Sequence, residues 1–65
     1  MRTYTFYFSA RVGAAQTFDF DIAECEDEPE ARRWARVLLL REPERRHVEV
    51  WAGTEPVFQL DRTAE

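Results

Sequence analysis

The sequence predicts an α+β fold: a single four-stranded, mostly antiparallel sheet with one helix on one face, in the order ββαββ. Three observations carry this. Two runs near the N-terminus alternate with period two, Thr3–Val12 and then Thr17–Ile22. A central segment places Ala31, Trp34, Ala35 and Leu38 at i, i+3, i+4 and i+7 between an acidic start and a proline stop. Two shorter alternating runs follow, separated by a turn at Gly53–Pro56.

In the first strand Tyr4, Phe6, Phe8, Ala10 and Val12 point one way, and Thr3, Thr5, Tyr7, Ser9 and Arg11 the other. Strong β formers occupy both faces. Gly13, Ala14 and Ala15 read as a small-residue turn closing an antiparallel hairpin. In the second strand Phe18, Phe20 and Ile22 are expected inward, with Thr17, Asp19 and Asp21 outward.

The helix follows at once. Asp27 is the expected N-cap, Pro29 suits the first turn, and Glu30 completes an Asp-x-x-Glu variant of the capping box. Acid at its start and arginine toward its end both suit the helix dipole. Pro43 stops it near Arg41 or Glu42. Trp34, Ala35 and Leu38 are expected to pack onto Phe6, Phe8, Phe18, Phe20, Val50 and Phe58. Leu39 falls at the margin of this stripe and Leu40 on the exposed side.

In the third strand Val48, Val50 and Ala52 alternate with His47, Glu49 and Trp51. The fourth covers Val57 to Asp61 with Phe58 and Leu60 inward. Residues 62–65 are expected to fray. A right-handed crossover through the helix makes strands two and three parallel, with strand one between them. The favoured spatial order is therefore 2-1-3-4; a 1-2-3-4 or swapped arrangement is the alternative.

Sixty-five residues make one domain, residues 1–65, near the lower size limit for folding without staples. Five Phe, two Tyr and two Trp supply the core. The formal charge of −4 disfavours direct binding to nucleic acid or anionic lipid and favours a basic partner. A single cysteine excludes a disulfide scaffold. No stretch approaches a membrane span, and the N-terminus lacks the continuous apolar core of a signal peptide, so a cytoplasmic location is expected. The absence of Lys and Asn beside abundant Arg and Ala suggests a GC-rich coding sequence, bacterial or phage.

Charge is segregated along the chain. Seven residues between Asp19 and Glu30 are acidic and none is basic, whereas Arg32, Arg33, Arg36, Arg41, Arg45 and Arg46 follow. Asp27, Glu28 and Glu30 are explained by capping and solvation. Asp19 and Asp21 are less easily explained, because strands disfavour Asp. Two residues of rise, about 6.6–6.8 Å, separate them, comparable to the spacing of successive phosphates. A row of Asp19, Asp21, Glu24 and Glu26, with Glu49 nearby, would then fit a groove built to hold nucleic acid. Tyr7 and Trp51, on the open face, admit three readings: a cross-strand pair, protein-binding anchors, or a base-stacking platform. Acidic neighbours expected on that face oppose the last. Glu30 can pair locally with Arg33, and Val37 with Leu40 offers a lesser docking strip on the helix.

No catalytic constellation is apparent. Cys25 precedes a helix N-terminus, but Glu24, Glu26 and Asp27 oppose thiolate formation. His47 has no second ligand at metal spacing, and Ser9 lies on a strand rather than an activated turn. No phosphate-cradling loop occurs. Neither enzyme activity, cofactor nor metal is therefore expected.

The run Tyr4–Phe8 (Tyr-Thr-Phe-Tyr-Phe), the strand Phe18–Ile22 and the helix Glu30–Ala35 (Glu-Ala-Arg-x-x-Ala) resemble the small acidic ββαββ proteins of bacterial prophages, some anti-CRISPR proteins among them. The similarity covers most of the chain as a pattern, without a diagnostic motif from which site residues transfer. It implies a stoichiometric inhibitor that occludes the nucleic-acid-binding surface of a defence complex. The expected function is thus non-catalytic inhibition through Asp19, Asp21, Glu24, Glu26 and Glu49, with Tyr7 and Trp51 as anchors, in a monomer or weak homodimer. The alternative is an antitoxin-like regulatory or structural homodimer formed through an exposed edge strand.

Overall fold

The computed structural model describes residues 1–62. The elements are β1 (Arg2–Val12), β2 (Ala15–Cys25), α1 (Glu28–Arg41), β3 (Arg45–Ala52) and β4 (Glu55–Asp61). They form one sheet in the order β2-β1-β3-β4, as the crossover argument requires. All three ladders are antiparallel.

Both hairpins close through two-residue loops, Gly13–Ala14 and Gly53–Thr54. Gly13 has φ 63° and Gly53 φ 64°, and no other described residue has positive φ. Left-handed backbone at the first loop position alone is the type II′ pattern, whose twist matches that of the flanking strands. Glycine is needed there because a Cβ would strain that conformation.

The first loop also fixes which way β2 faces. Val12 pairs with Ala15, so Phe6 stands opposite Asp21 and Phe8 opposite Asp19. A three-residue turn at Gly13–Ala15 would have brought Phe18, Phe20 and Ile22 onto the face of Phe6 and Phe8. One residue fewer reverses every side chain of the strand. The three apolar residues therefore point away from the helix and are exposed, while Asp19 and Asp21 lie on the helix side, beyond the helix's reach. This overturns the expected packing of Phe18 and Phe20 beneath α1.

The core sits between α1 and the two central strands. Tyr4, Phe6 and Phe8 of β1 pack with Val48, Val50 and Ala52 of β3, under Ala31, Ala35, Leu38 and Leu39. Phe58 and Leu60 of β4 close one side and Ala23 the other. The buried helix face is i, i+4, i+7 and i+8, so Leu39 is core rather than marginal. Trp34 lies at the flank with 39% of its surface exposed, and Leu40 is exposed as its angular position requires.

The helix ends are satisfied differently. At the start, Asp27 Oδ1 accepts the Glu30 N–H at 3.0 Å, and Glu30 Oε1 accepts the Glu26 N–H at 2.9 Å. The capping box is thus displaced by one residue toward the N-terminus. At the end no glycine follows. Two arginines take the carbonyls instead: Arg45 donates to Leu38 O at 2.7 Å, and Arg62 donates to Leu39 O and Glu42 O, both at 2.8 Å. Arg62 also bonds Arg45 O through Nε and Arg46 O through its backbone N–H, each at 2.8 Å. It is therefore anchored rather than frayed. The expectation for residues 63–65 lies outside the described residues.

Candidate functional site

Two surfaces on β2 stand out, one on each side of the strand, and together they divide the residues expected to form a single site. The sheet has a free edge at β2, which pairs only with β1. Along the helix side of that edge run Asp19 and Asp21, followed by Glu26, Asp27 and Glu28 around the link to α1.

Asp19 is held from within. Its Oδ2 accepts from Arg45 Nη2 at 3.0 Å, while the same guanidinium lies 3.8 Å from the centroid of the Phe8 ring. Arg45 covers the end of the Phe8–Val48 row and presents Asp19 at its outer side. Among the described residues Asp21 accepts only the N–H of Ile22, at 3.2 Å. Glu28 pairs with Arg32 at 3.1 Å. Among the described residues the remaining contact of a carboxylate with a basic side chain joins Asp61 to His47, so Asp21, Glu24, Glu26 and Asp27 face solvent without a salt-bridged cation.

Glu24 belongs to the other surface. It pairs with Thr3, which sets it on the face of Phe18, Phe20 and Ile22. The continuous row of Asp19, Asp21, Glu24 and Glu26 is thus broken by the strand pleat. Nor do Asp19 and Asp21 share a face with Tyr7, Trp51 and Glu49, as expected.

That open face is largely apolar toward β2. Ile22 stands opposite Thr5, which stands opposite Trp51; Phe20 stands opposite Tyr7, and Phe18 opposite Ser9. The Tyr7 ring centroid lies 6.2 Å from Phe20 and 6.3 Å from Trp51, the latter in an edge-on arrangement. Tyr7 and Trp51 do form a cross-strand pair, and Phe20 extends it into a three-ring cluster. Exposure is high: 75% for Phe18, 61% for Phe20, 57% for Ile22 and 47% for Tyr7. A polar half completes the face, with Glu49 opposite Gln59 and His47 opposite Asp61. Expecting Phe18, Phe20 and Ile22 in the core left this patch unseen; the alternation was legible, its direction was not.

The register also assembles a row that spacing alone conceals. Ser9 stands opposite His47, and His47 Nδ1 shares a hydrogen bond with the Asp61 carboxylate. Three residue types of a hydrolytic triad thus cross the open face in order. Ser9 makes no hydrogen bond to the imidazole among the described residues. Ser9 lies on a central strand, where the β1–β3 ladder shifts register between Ser9 and Ala10.

Cys25 is buried near the start of α1. Burial pushes its thiol pKa up, and the carboxylates of Glu30 and Asp27 add to the effect. It therefore carries less thiolate than an ordinary cysteine, the reverse of what a nucleophile needs. Among the described residues no group of three or more His, Cys, Asp or Glu side chains is placed to hold a metal ion. No described helix is long and apolar enough to cross a membrane.

Comparison with protein-family models, curated proteins and solved structures returns no match.

Proposed function

We propose that this chain is a non-catalytic, stoichiometric inhibitor, of the anti-CRISPR kind in its mode of action, that covers a basic, nucleic-acid-binding surface of a partner with its acidic border. One observation carries the reading: Asp21, Glu26 and Asp27 crowd one free sheet edge and the adjoining link with no salt-bridged cation. Uncompensated charge of one sign steers association with the opposite sign and repels polyanions. Arg32 lies over the Phe58 ring on the β4 side, whereas Arg33 lines the cleft between α1 and the Ala23–Cys25 end of β2 and forms no ion pair among the described residues. Asp19 contributes through the fixed Arg45 pair, which orients its carboxylate at the border.

Capture from a bacterial lysate on the immobilised chain, with nucleic acid removed, tests this. Basic nucleic-acid-binding proteins are expected to be retained, to elute with rising salt, and to be displaced by added DNA or RNA. Reversing Asp21 and Glu26 to Lys should abolish their retention while leaving the fold intact, since both side chains are exposed. Equal retention by wild type and the Asp21→Lys/Glu26→Lys variant refutes the reading.

A further inference from the structure

We propose that the free edge of β2 takes one extended segment of its partner as a fifth strand, and that this segment alternates basic and apolar residues. Resting on the acidic-border reading, this names the element of the partner that the border holds.

The edge is chemically open along its backbone. Among the described residues β2 pairs only with β1. The two-residue loop makes Val12 and Ala15 a hydrogen-bonded pair, and such pairs recur at every second residue of an antiparallel ladder. Thr17, Asp19, Asp21 and Ala23 therefore direct their N–H and C=O groups to β1, whereas Phe18, Phe20, Ile22 and Glu24 turn theirs outward. Two bonds agree with this phase. The Ile22 N–H lies outside the ladder and donates to Asp21 Oδ1 at 3.2 Å. The Arg11 N–H, in the Gln16 row, donates away from β2 to Glu44 O at 3.0 Å. The edge from Phe18 to Glu24 thus matches a strand of ordinary length.

Side chains set what that strand carries, because each added residue shares a face with the one it stands opposite. Asp19 and Asp21 on the helix side call for cations. Asp21 has no salt-bridged cation among the described residues, and Asp19 meets Arg45 through Oδ2. Both occupy non-hydrogen-bonded positions, where facing Cα atoms approach to about 4.5 Å and side chains lie closest. Opposite Phe18, Phe20 and Ile22, on the open side, apolar residues continue the exposed strip. Opposite Ala23 the added side chain meets a cleft of about 310 Å³ between β2 and α1, walled by Ala23, Trp34 and Val37. Its charged liners, Arg33, Glu24 and Glu30, are of both signs, so the apolar walls set the preference. Antiparallel pairing, as in the other three ladders, is the stronger arrangement. From the residue opposite Ala23 to the one opposite Phe18, the segment then reads apolar, apolar, basic, apolar, basic, apolar. As it joins, the Ile22 N–H passes from Asp21 to the new ladder and frees that carboxylate for the cation.

Charge complementarity separates this occupant from others. A second β2 paired antiparallel about Phe20 would set Asp19 against Asp21, carboxylate facing carboxylate. A nucleic-acid strand is repelled by the same side chains. A basic surface without an extended segment meets the carboxylates but leaves the outward amides to water.

The test uses the whole chain and a capped synthetic peptide, Thr-Leu-Val-Lys-Val-Lys-Val-Thr, whose register sets Leu opposite Ala23 and the lysines opposite Asp21 and Asp19. Calorimetry is expected to give a Kd of about 100 µM or tighter. In the free chain the amides of Asp19 and Asp21 should be protected from hydrogen exchange, and those of Phe20 and Ile22 should exchange fast. Peptide at about ten times its Kd should slow Phe20 and Ile22 about tenfold. Methylating the backbone nitrogens of the two valines that flank the first lysine keeps every charge, removes two ladder bonds and should weaken binding at least about tenfold. Thr-Leu-Val-Val-Lys-Lys-Val-Thr has the same composition but cannot set both lysines on one face, and should bind about fivefold more weakly or worse. Asp21→Lys should prefer a peptide with glutamate in place of the first lysine, the reverse of wild type. A peptide that does not bind at about 1 mM overturns the proposal. So does binding that the methyl groups leave unchanged, equal affinity for the two lysine arrangements, or an Asp21→Lys chain with the wild-type preference. Lysate capture that responds to Asp21 and Glu26, beside a peptide that does not bind, leaves the acidic border standing and removes only the added strand. Capture indifferent to those residues, beside a bound peptide that protects Phe20 and Ile22, does the reverse.

Discussion

Arg62 should contribute substantially to stability, although it lies at the surface near the end of the described chain. It is one residue beyond β4, yet its guanidinium donates to Arg45 O, Leu39 O and Glu42 O, each at 2.8 Å. The first two bonds are partly shielded from solvent and the third is exposed. Bonds involving a charged group contribute about 1.5–3 kcal/mol each when shielded and less when wet. Replacing Arg62 by Ala also leaves Leu39 O, an orphan of the last helical turn, without its partner. The expected loss is about 3 kcal/mol. A domain of this length has a total of roughly 3–10 kcal/mol to lose. Each kcal/mol corresponds to about 4–8 °C at this size, so the Tm should fall by roughly 12–24 °C. Arg62→Lys supplies a single point donor in place of the planar fork and should recover about half of the loss. Thermal unfolding followed by circular dichroism measures both. An Arg62→Ala protein melting within about 3 °C of wild type would refute the claim that two arginines close the helix end.

Two further predictions are simpler. Leu38→Ala, in the fully covered centre of the helix face, should cost about 2–5 kcal/mol, while Leu40→Ala, two residues on and exposed, should stay within about 0.5 kcal/mol; paired urea titrations measure the contrast. For Cys25, burial and the nearby carboxylates of Glu30 and Asp27 raise the thiol pKa above its ordinary value of 9.0. The unfolded chain then releases its proton first as pH rises, and the folded state binds more protons. Stability is therefore unaffected below the unfolded thiol pKa and falls above it. Urea midpoints measured from pH 7 to 10 should decline more steeply in the wild type than in Cys25→Ala, and a parallel decline would contradict the assignment.

The elements themselves were legible because each rests on local chemistry. β1 shows strict alternation over ten residues, α1 has an N-cap, a permitted Pro29 and a Pro43 stop, and the crossover rule leaves β1 between β2 and β3. What depended on a count of turn residues was not legible. Gly13-Ala14-Ala15 admits a two- or a three-residue loop, and the choice reverses β2. The reversal moved Phe18 and Phe20 out of the core and carried Asp19 and Asp21 away from Tyr7, Trp51 and Glu49. The Ser9–His47–Asp61 row was hidden for a separate reason, because it exists only through the β1–β3 and β3–β4 registers. Arg62 escaped notice for another reason: end-of-chain position says nothing about whether a side chain meets a helix terminus.

The geometry of a single helix on four strands accounts for the pattern on β2. Outer strands lie about 14 Å apart across three inter-strand gaps, while a helix with its side chains is about 10–12 Å wide. Centred over β1 and β3, α1 shelters only the Ala23–Cys25 end of β2. The two hydrophobic rows beyond that end have polar ends at β2: Asp21 ends the row Phe6–Val50–Phe58, and Asp19 ends Phe8–Val48–Leu60, while the sheltered row Tyr4–Ala52 ends in Ala23. Charged side chains on that edge also discourage edge-to-edge pairing, since a pairing centred on Phe20 would set Asp19 opposite Asp21 of the other chain. Nothing in this geometry calls for apolar residues on the opposite side, where a polar strand would cost nothing. Phe18, Phe20 and Ile22 there give β2 one side suited to water and one suited to cover. The sheet is thus covered by α1 on one side and carries an exposed apolar strip along β2 on the other.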